Sequence, residues 1–125
     1  MNTITNDLTA TVDGYLTAYG DPDPASRAEL IASVWAEDGQ LVDPPLTGEG
    51  HDGISAMAEA VQQQFAGHRF RRTSAVDAHH DRLRFAWELV APNGDVVLTG
   101  VDVGELAEDG RLRRITGFFG ELAPA

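Results

Sequence analysis

The sequence predicts an α+β fold in which three N-terminal helices lie over one face of a curved, largely antiparallel sheet. Two observations carry this. Apolar residues recur at three- and four-residue intervals as far as Phe65, and β-rich runs divided by short turn signals fill the chain after Gly67. No repeat, low-complexity tract or linker interrupts either part, and 125 residues suit one domain, residues 1–125, with a single sizeable core.

Ile4, Leu8, Val12, Tyr15, Leu16 and Tyr19 mark the inward face of the first helix, with Asn6 and Asp7 available to cap it and Gly20 ending it. The prolines of Gly20-Asp21-Pro22-Asp23-Pro24 forbid continuation, while Asp23 before Pro24 is the cap and first turn of a second helix. That helix turns Leu30, Ile31, Val34 and Trp35 inward, and Gly39 stops it. Gln40 to Asp43 forms a short strand, ended by Pro44-Pro45 because two successive donors are lost. After a loop from Thr47 to Gly53, Asp52 caps a third helix with Ile54, Met57, Val61 and Phe65 on its apolar face.

The runs Phe70 to His79, Leu83 to Val90, Val96 to Leu106 and Leu112 to Leu122 read as a four-strand meander. A two-residue turn at Asn93-Gly94 pairs Leu89 with Leu98, Trp87 with Gly100 and Phe85 with Asp102. Opposed residues share a face, so Leu83, Phe85, Trp87, Leu89, Leu98, Ile115, Gly117 and Phe119 gather around Asp102. Gly100 and Gly104 flank it and leave space, which predicts an apolar cavity with an acid in its wall.

Twenty acidic residues against nine arginines and no lysine give a net charge of -11, which repels phosphate backbones and anionic lipid. Nucleic acid and membrane partners are set aside, and no apolar run approaches the roughly 18 residues of a span. The lack of cysteine removes disulfides, thiolate metal sites and a cysteine nucleophile. Met1 to Asp7 has neither a basic nor an apolar leader region, so the expected location is cytoplasmic.

Asp102 among Phe, Trp and Leu is costly to ionise, and its neutral form can donate a hydrogen bond; the other reading pairs it with an arginine or leaves it at a wet rim. Asp43 is held extended by Pro44 and as a free carboxylate can take a proton, although Asp-Pro also starts ordinary turns. Tyr15 and Tyr19 lie one helical turn apart and read as core with locally bonded hydroxyls. His79 and His80 with Asp81 invite a metal site, but adjacent strand residues point to opposite faces and cannot chelate together without a turn. His51 and His68 are isolated, and Arg69, Arg71 and Arg72 are split by alternation and balance local acids. No phosphate loop, nucleophile elbow or dinucleotide fingerprint is present.

Three motifs resemble the ketosteroid isomerase-like members of the nuclear-transport-factor-2-like superfamily, which also contains the SnoaL-like polyketide cyclases. Trp35-Ala36-Glu37-Asp38-Gly39-Gln40-Leu41-Val42-Asp43-Pro44 is similar to the family's strand whose final Asp is the general base. Val101-Asp102-Val103, followed by Asp109-Gly110-Arg111 and Ile115 to Gly120, is similar to the strand pair carrying the protonated oxyanion donor. Tyr15 takes the place of the oxyanion-hole tyrosine if Asp21 to Arg27 absorbs an insertion; otherwise Tyr19 does. Val61 stands where the isomerases carry a further tyrosine, and Gly100 where the limonene epoxide hydrolases need an arginine.

The resemblance implies a cone-shaped fold with a mixed sheet and an enzyme that needs no metal or organic cofactor. Asp43 removes a proton next to a carbonyl, and Tyr15 with neutral Asp102 stabilises the oxyanion. Trp35, Phe85, Trp87, Leu98, Ile115, Phe119 and Tyr19 are the expected contacts of an apolar, steroid- or polyketide-like substrate. The alternatives are a polyketide cyclase or dehydratase using the same acids, and a binding domain without catalysis. The opposite sheet face, with Val97, Thr99, Val101, Val103, Thr116 and Phe118, predicts a homodimer packed sheet against sheet.

Overall fold

The computed structural model describes residues 3–125, with side chains from Leu8 onward. Helix α1 (Thr3–Tyr19) begins before the Asn6-Asp7 pair expected to cap it, and the side chains of that pair and of Ile4 lie outside the described residues. Its inward stripe is as expected from Leu8 on: Val12, Tyr15, Leu16 and Tyr19 are all buried. Helix α2 (Pro24–Val34) starts where Asp23 accepts the Ser26 amide and Pro24 fills the first turn. Among the described residues no helix is long and apolar enough to cross a membrane.

The second helix does not run to Gly39. It stops at Val34, and strand β1 (Trp35–Asp43) follows directly. Arg111 Nη1, from far along the chain, donates to the carbonyl oxygen of Ala32 in the last turn of α2 and to that of Trp35 just beyond it. Gly39 lies inside the strand at a register shift, and a Cβ there would stand 2.6 Å from Cε3 of the Trp35 ring. Thr47 to Glu49, expected as loop, instead join Leu46 in β2 (Leu46–Glu49), which returns antiparallel on β1 and pairs Asp43 with Leu46. Helix α3 (Gly50–Gln64) then starts after Glu49, so Asp52 sits in its first turn and is not its cap.

Beyond Gly67 the first expected strand divides into β3 (Arg69–Arg72) and β4 (Asp77–His79), because the Ser74 hydroxyl takes the Ala86 amide where a ladder partner would stand. Strands β5 (Arg82–Val90), β6 (Val96–Leu106) and β7 (Leu112–Phe119) complete a seven-stranded mixed sheet. The last strand stops before Gly120, whose φ is 74°, and Leu122 is exposed. The sheet order is β2-β1-β7-β6-β5-β3, with β4 also paired to β5 and β1 parallel to β7. The expected pairs Leu89–Leu98, Trp87–Gly100 and Phe85–Asp102 are present, as are Asp102–Gly117 and Gly104–Ile115. The core lies between the helices and the face of the sheet bearing Leu83, Phe85, Trp87, Leu89 and Ile115.

Candidate active site

Asp43 is the last residue of β1. Leu41 opposes Ile115 on β7, and alternation turns both Leu41 and Asp43 inward, leaving Asp43 7% exposed. Asp102 lies mid-strand on β6 between Phe85 and Gly117 and is 2% exposed. Helix α1 supplies a phenol to each acid. Tyr15 Oη donates to Asp102 Oδ2 at 2.9 Å, and Tyr19 Oη donates to Asp43 Oδ2 at 2.9 Å. Trp87 Nε1 donates to the other Asp102 oxygen at 2.8 Å. The two tyrosines therefore do not compete for one place; the helical turn between them matches the step from one acid to the other.

The Tyr19–Asp43 and Trp87–Asp102 bonds are new relative to the sequence reading. Trp87 was legible as a diagonal neighbour of Asp102, since it opposes Gly100 on the same face. Tyr19 required knowing where β1 passes α1, a long-range fact without a local sign.

Among the described residues no arginine or histidine forms an ion pair with either acid. Burial therefore dominates. It pushes Asp102 up to about 7 against the lowering hydrogen bonds from Trp87 and Tyr15, with the Asp43 charge adding to the rise. Burial also raises Asp43, opposed by the Tyr19 bond. Tyr15 and Tyr19 are held above the usual phenol range, first by burial and then by the neighbouring carboxylates. Both phenols stay protonated donors at neutral pH. Asp43 Oδ1 is buried without a hydrogen bond, so one oxygen of that acid is uncommitted.

The two carboxyls converge over Gly117. A Cβ there would collide with Asp43 Oδ1 and stand 3.0 Å from Asp102 Oδ1. The other glycines act differently from expectation. The space over Gly100 is filled by the Trp87 ring, with Cε2 2.6 Å from a would-be Cβ, and that over Gly104 by Ile115 Cδ1 at 2.7 Å. They give packing to the walls rather than an open chamber. The apolar space left is a crevice among the helices, bordered by Tyr15, Tyr19, Trp35 and Ile54; it is too narrow to admit a water and neither acid lines it, so the expected open cavity with an acid in its wall is closed here.

Phe85 packs edge-on to Tyr15 with ring centroids 6.3 Å apart, Ile115 is fully buried, and Leu98 is half-buried against the same core. Phe119, 42% exposed, forms a rim against Trp87 at 5.9 Å. A larger hollow of about 700 Å³ lies at the β4–β5 end of the sheet, away from both acids. Its arginines Arg82, Arg84 and Arg114 are matched by Glu105 and Asp77, so it presents no unpaired cation to a ligand. Nearby, a turn with φ 53° at His80 does bring the two histidines together, Nδ1 to Nδ1 at 3.0 Å. No group of three metal-ligating side chains occurs among the described residues. Arg71 and Arg72 pair with Glu88 and Asp13.

A curved mixed sheet covered by three helices places the molecule in the nuclear-transport-factor-2-like class. Within it, the chain belongs to the SnoaL-like family: the family's SnoaL-like domain model matches residues 12–115. A protein from Agrobacterium tumefaciens str. C58, proposed to be an isomerase of the SnoaL-like family, is 38% identical, with 93% of this chain and 99% of that one covered and a TM-score of 0.86. A proposed SnoaL-like polyketide cyclase from Jannaschia sp. CCS1 shares the fold at 16% identity and a TM-score of 0.74, over 95% of this chain and 89% of that one. An NTF2-like protein of unknown function from Exiguobacterium sp. 255-15 does so at 17% identity and 0.70, over 90% and 99%. A comparison with curated protein sequences returned no match.

Proposed function

We propose that this SnoaL-like protein is a cytoplasmic acid–base enzyme of the ketosteroid isomerase type. It removes a proton next to a carbonyl of an apolar ring substrate and returns it at another carbon, moving a double bond. The supporting observation is the pair of buried acids converging over Gly117, one with an uncommitted oxygen and the other raised to about 7. Asp43 Oδ1 accepts the proton as the C–H bond breaks, and the electron pair passes into a dienolate. Neutral Asp102 donates along its 2.9 Å contact with Tyr15, which frees the phenolic hydrogen to meet the developing oxyanion. Trp87 holds the other Asp102 oxygen. Reprotonation by Asp43 restores the enzyme, so no electrons are gained or lost overall.

The test is turnover of a β,γ-unsaturated cyclic ketone, followed by the ultraviolet absorbance of the conjugated product. Asp43→Asn is expected to lower the rate by about 10²–10⁴-fold. Asp102→Asn retains a donor and costs far less. Wild-type rates in both variants would remove the assigned roles. Ring closure or loss of water in place of a double-bond shift would move the assignment to a cyclase or dehydratase using the same acids, and ligand binding without turnover would assign a binding domain.

The exposed sheet face fits a two-fold dimer. Val97, Val101, Val103 and Phe118 are between 38% and 58% exposed, while Arg114 and Glu105 lie beside them 3.6 Å apart. A second copy would bury these side chains reciprocally.

A further inference from the structure

The indole N–H of Trp35 has no acceptor in the protein. The residue is 0% exposed, and its Nε1 is one of the buried polar side-chain atoms left without a hydrogen bond among the described residues. Such a donor carries a standing penalty, because water served it in the unfolded chain and nothing serves it in the core. Trp87, the other tryptophan, shows the ordinary solution by donating to Asp102.

Trp35 is not free to turn in search of a partner. Its carbonyl accepts from His51 Nε2 at 2.9 Å and from Arg111 Nη1 at 3.1 Å, and its amide donates to the Ile31 carbonyl at the end of α2. The Cε3–Cζ3 edge of the ring packs on Gly39, which directs the Nε1 edge, on the other side of the indole, away from that glycine. The ring borders a crevice too narrow for a water, whose other walls are Ala18, Ile31, Ile54, Ala58 and the faces of Tyr15 and Tyr19, so water cannot serve the indole and a ligand reaches it by parting these walls. Four of these side chains have no acceptor, and both tyrosine hydroxyls are engaged with the acids. A second uncommitted atom, the acceptor Asp43 Oδ1, lies at the acid bound to Tyr19. An unpaired donor and an unpaired acceptor thus flank the tyrosine pair.

We infer that Trp35 is a specificity-determining residue whose indole N–H reads an acceptor oxygen on the ligand, distinct from the carbonyl served by Tyr15 and Asp102. This rests on the proton-abstraction reading of the site. The ligand class it defines is an apolar ring compound carrying an ether, carbonyl or hydroxyl oxygen remote from its reacting carbonyl. A ligand without that oxygen leaves the indole unpaired and forgoes the gain.

Two pairs of shape-matched phenols test this: 4-methoxyphenol against 4-ethylphenol, and 6-methoxy-2-naphthol against 6-ethyl-2-naphthol. In each, the phenol oxygen takes the place of the enolate oxygen at Tyr15, and the pair differs only in the remote ether acceptor. The full chain, labelled with ¹⁵N, gives two indole cross-peaks, assigned with Trp35→Phe or, should that variant fail to fold, by elimination with Trp87→Phe. In at least one pair, both members are expected to shift the Trp87 peak and only the methoxy compound to move the Trp35 proton downfield. That compound is also expected to bind about tenfold more tightly, a preference lost in Trp35→Phe. Equal affinities and equal Trp35 peaks within both pairs, with Trp87 still responding, would overturn the inference alone. No response at Trp87 to any probe would overturn the proton-abstraction reading and this inference with it.

Discussion

Replacing Asp102 by Asn isolates what an ionisable group in the core does to stability. The folded protein holds this acid at about 7, against 3.8 for an ordinary carboxyl, because burial disfavours the charge more than Trp87 and Tyr15 relieve it. An acid whose pKa is raised by folding stabilises the folded state while both forms are protonated, and that contribution is lost as pH rises from the unfolded value through the folded one. Between pH 4 and 7 the loss is roughly 4 kcal/mol at about 1.36 kcal/mol per pH unit, an upper figure because a core can relax around a charge. Asn keeps the neutral pattern, with its carbonyl accepting from Trp87 and its amide donating to the Tyr15 oxygen. Urea unfolding of wild type and Asp102→Asn at pH 5 and pH 8.5, followed by tryptophan fluorescence, is expected to show the variant gaining on the wild type by about 2–3 kcal/mol between the two, the part of the loss that falls above pH 5. Repulsion from the net charge of -11 acts on both proteins and nearly cancels in the difference. A wild type and variant whose stabilities stay parallel across that range would refute the assignment of a neutral, buried Asp102.

The pH–rate profile of the wild type is expected to be bell-shaped, falling on the acid side as Asp43 is protonated and on the alkaline side near 7 as Asp102 ionises. Tyr19→Phe removes the bond that lowers Asp43, so its acid limb should move to higher pH; an unmoved limb would separate Tyr19 from the base. Gly117→Ala places a methyl group against Asp43 Oδ1, and is expected to cost about 1–3 kcal/mol in denaturation and to lower activity along with it. Sedimentation at micromolar concentration should show twice the 13.4 kDa mass, and Val101→Arg should halve it; a wild-type monomer would reject the sheet-to-sheet dimer.

The features legible in the sequence were those with local causes. Helix starts at Asp23-Pro24, the strand end at Asp43-Pro44 and the alternation along β5 and β6 all follow from neighbouring residues. The register around Asp102 was obtained through two cancelling differences. The turn holds Pro92, Asn93 and Gly94 between Ala91 and Asp95, and a bulge between Val96 and Leu98 restores the pairing of Leu89 with Leu98. The end of α2 was missed because Arg111, far along the chain, caps it. β2 was read as a loop because Gly48 sits in the middle of a four-residue strand, where a Cβ would stand 2.8 Å from Met57 Sδ. Glycine there signals close contact with α3, which only the assembled core reveals.

The parallel seating of β1 against β7 bears on how the protein is born. On the ribosome, Asp43 and its strand emerge early, long before the strand that will lie beside them in the sheet. Asp102 follows on β6, yet the two acids are neighbours only once β7 slots between their strands and brings Gly117 under both. Arg111, at the threshold of β7, reaches the end of α2 in the same step. The meeting of the two acids is thus completed by the last strand, and a nascent chain released before Leu112 would lack the strand that joins them.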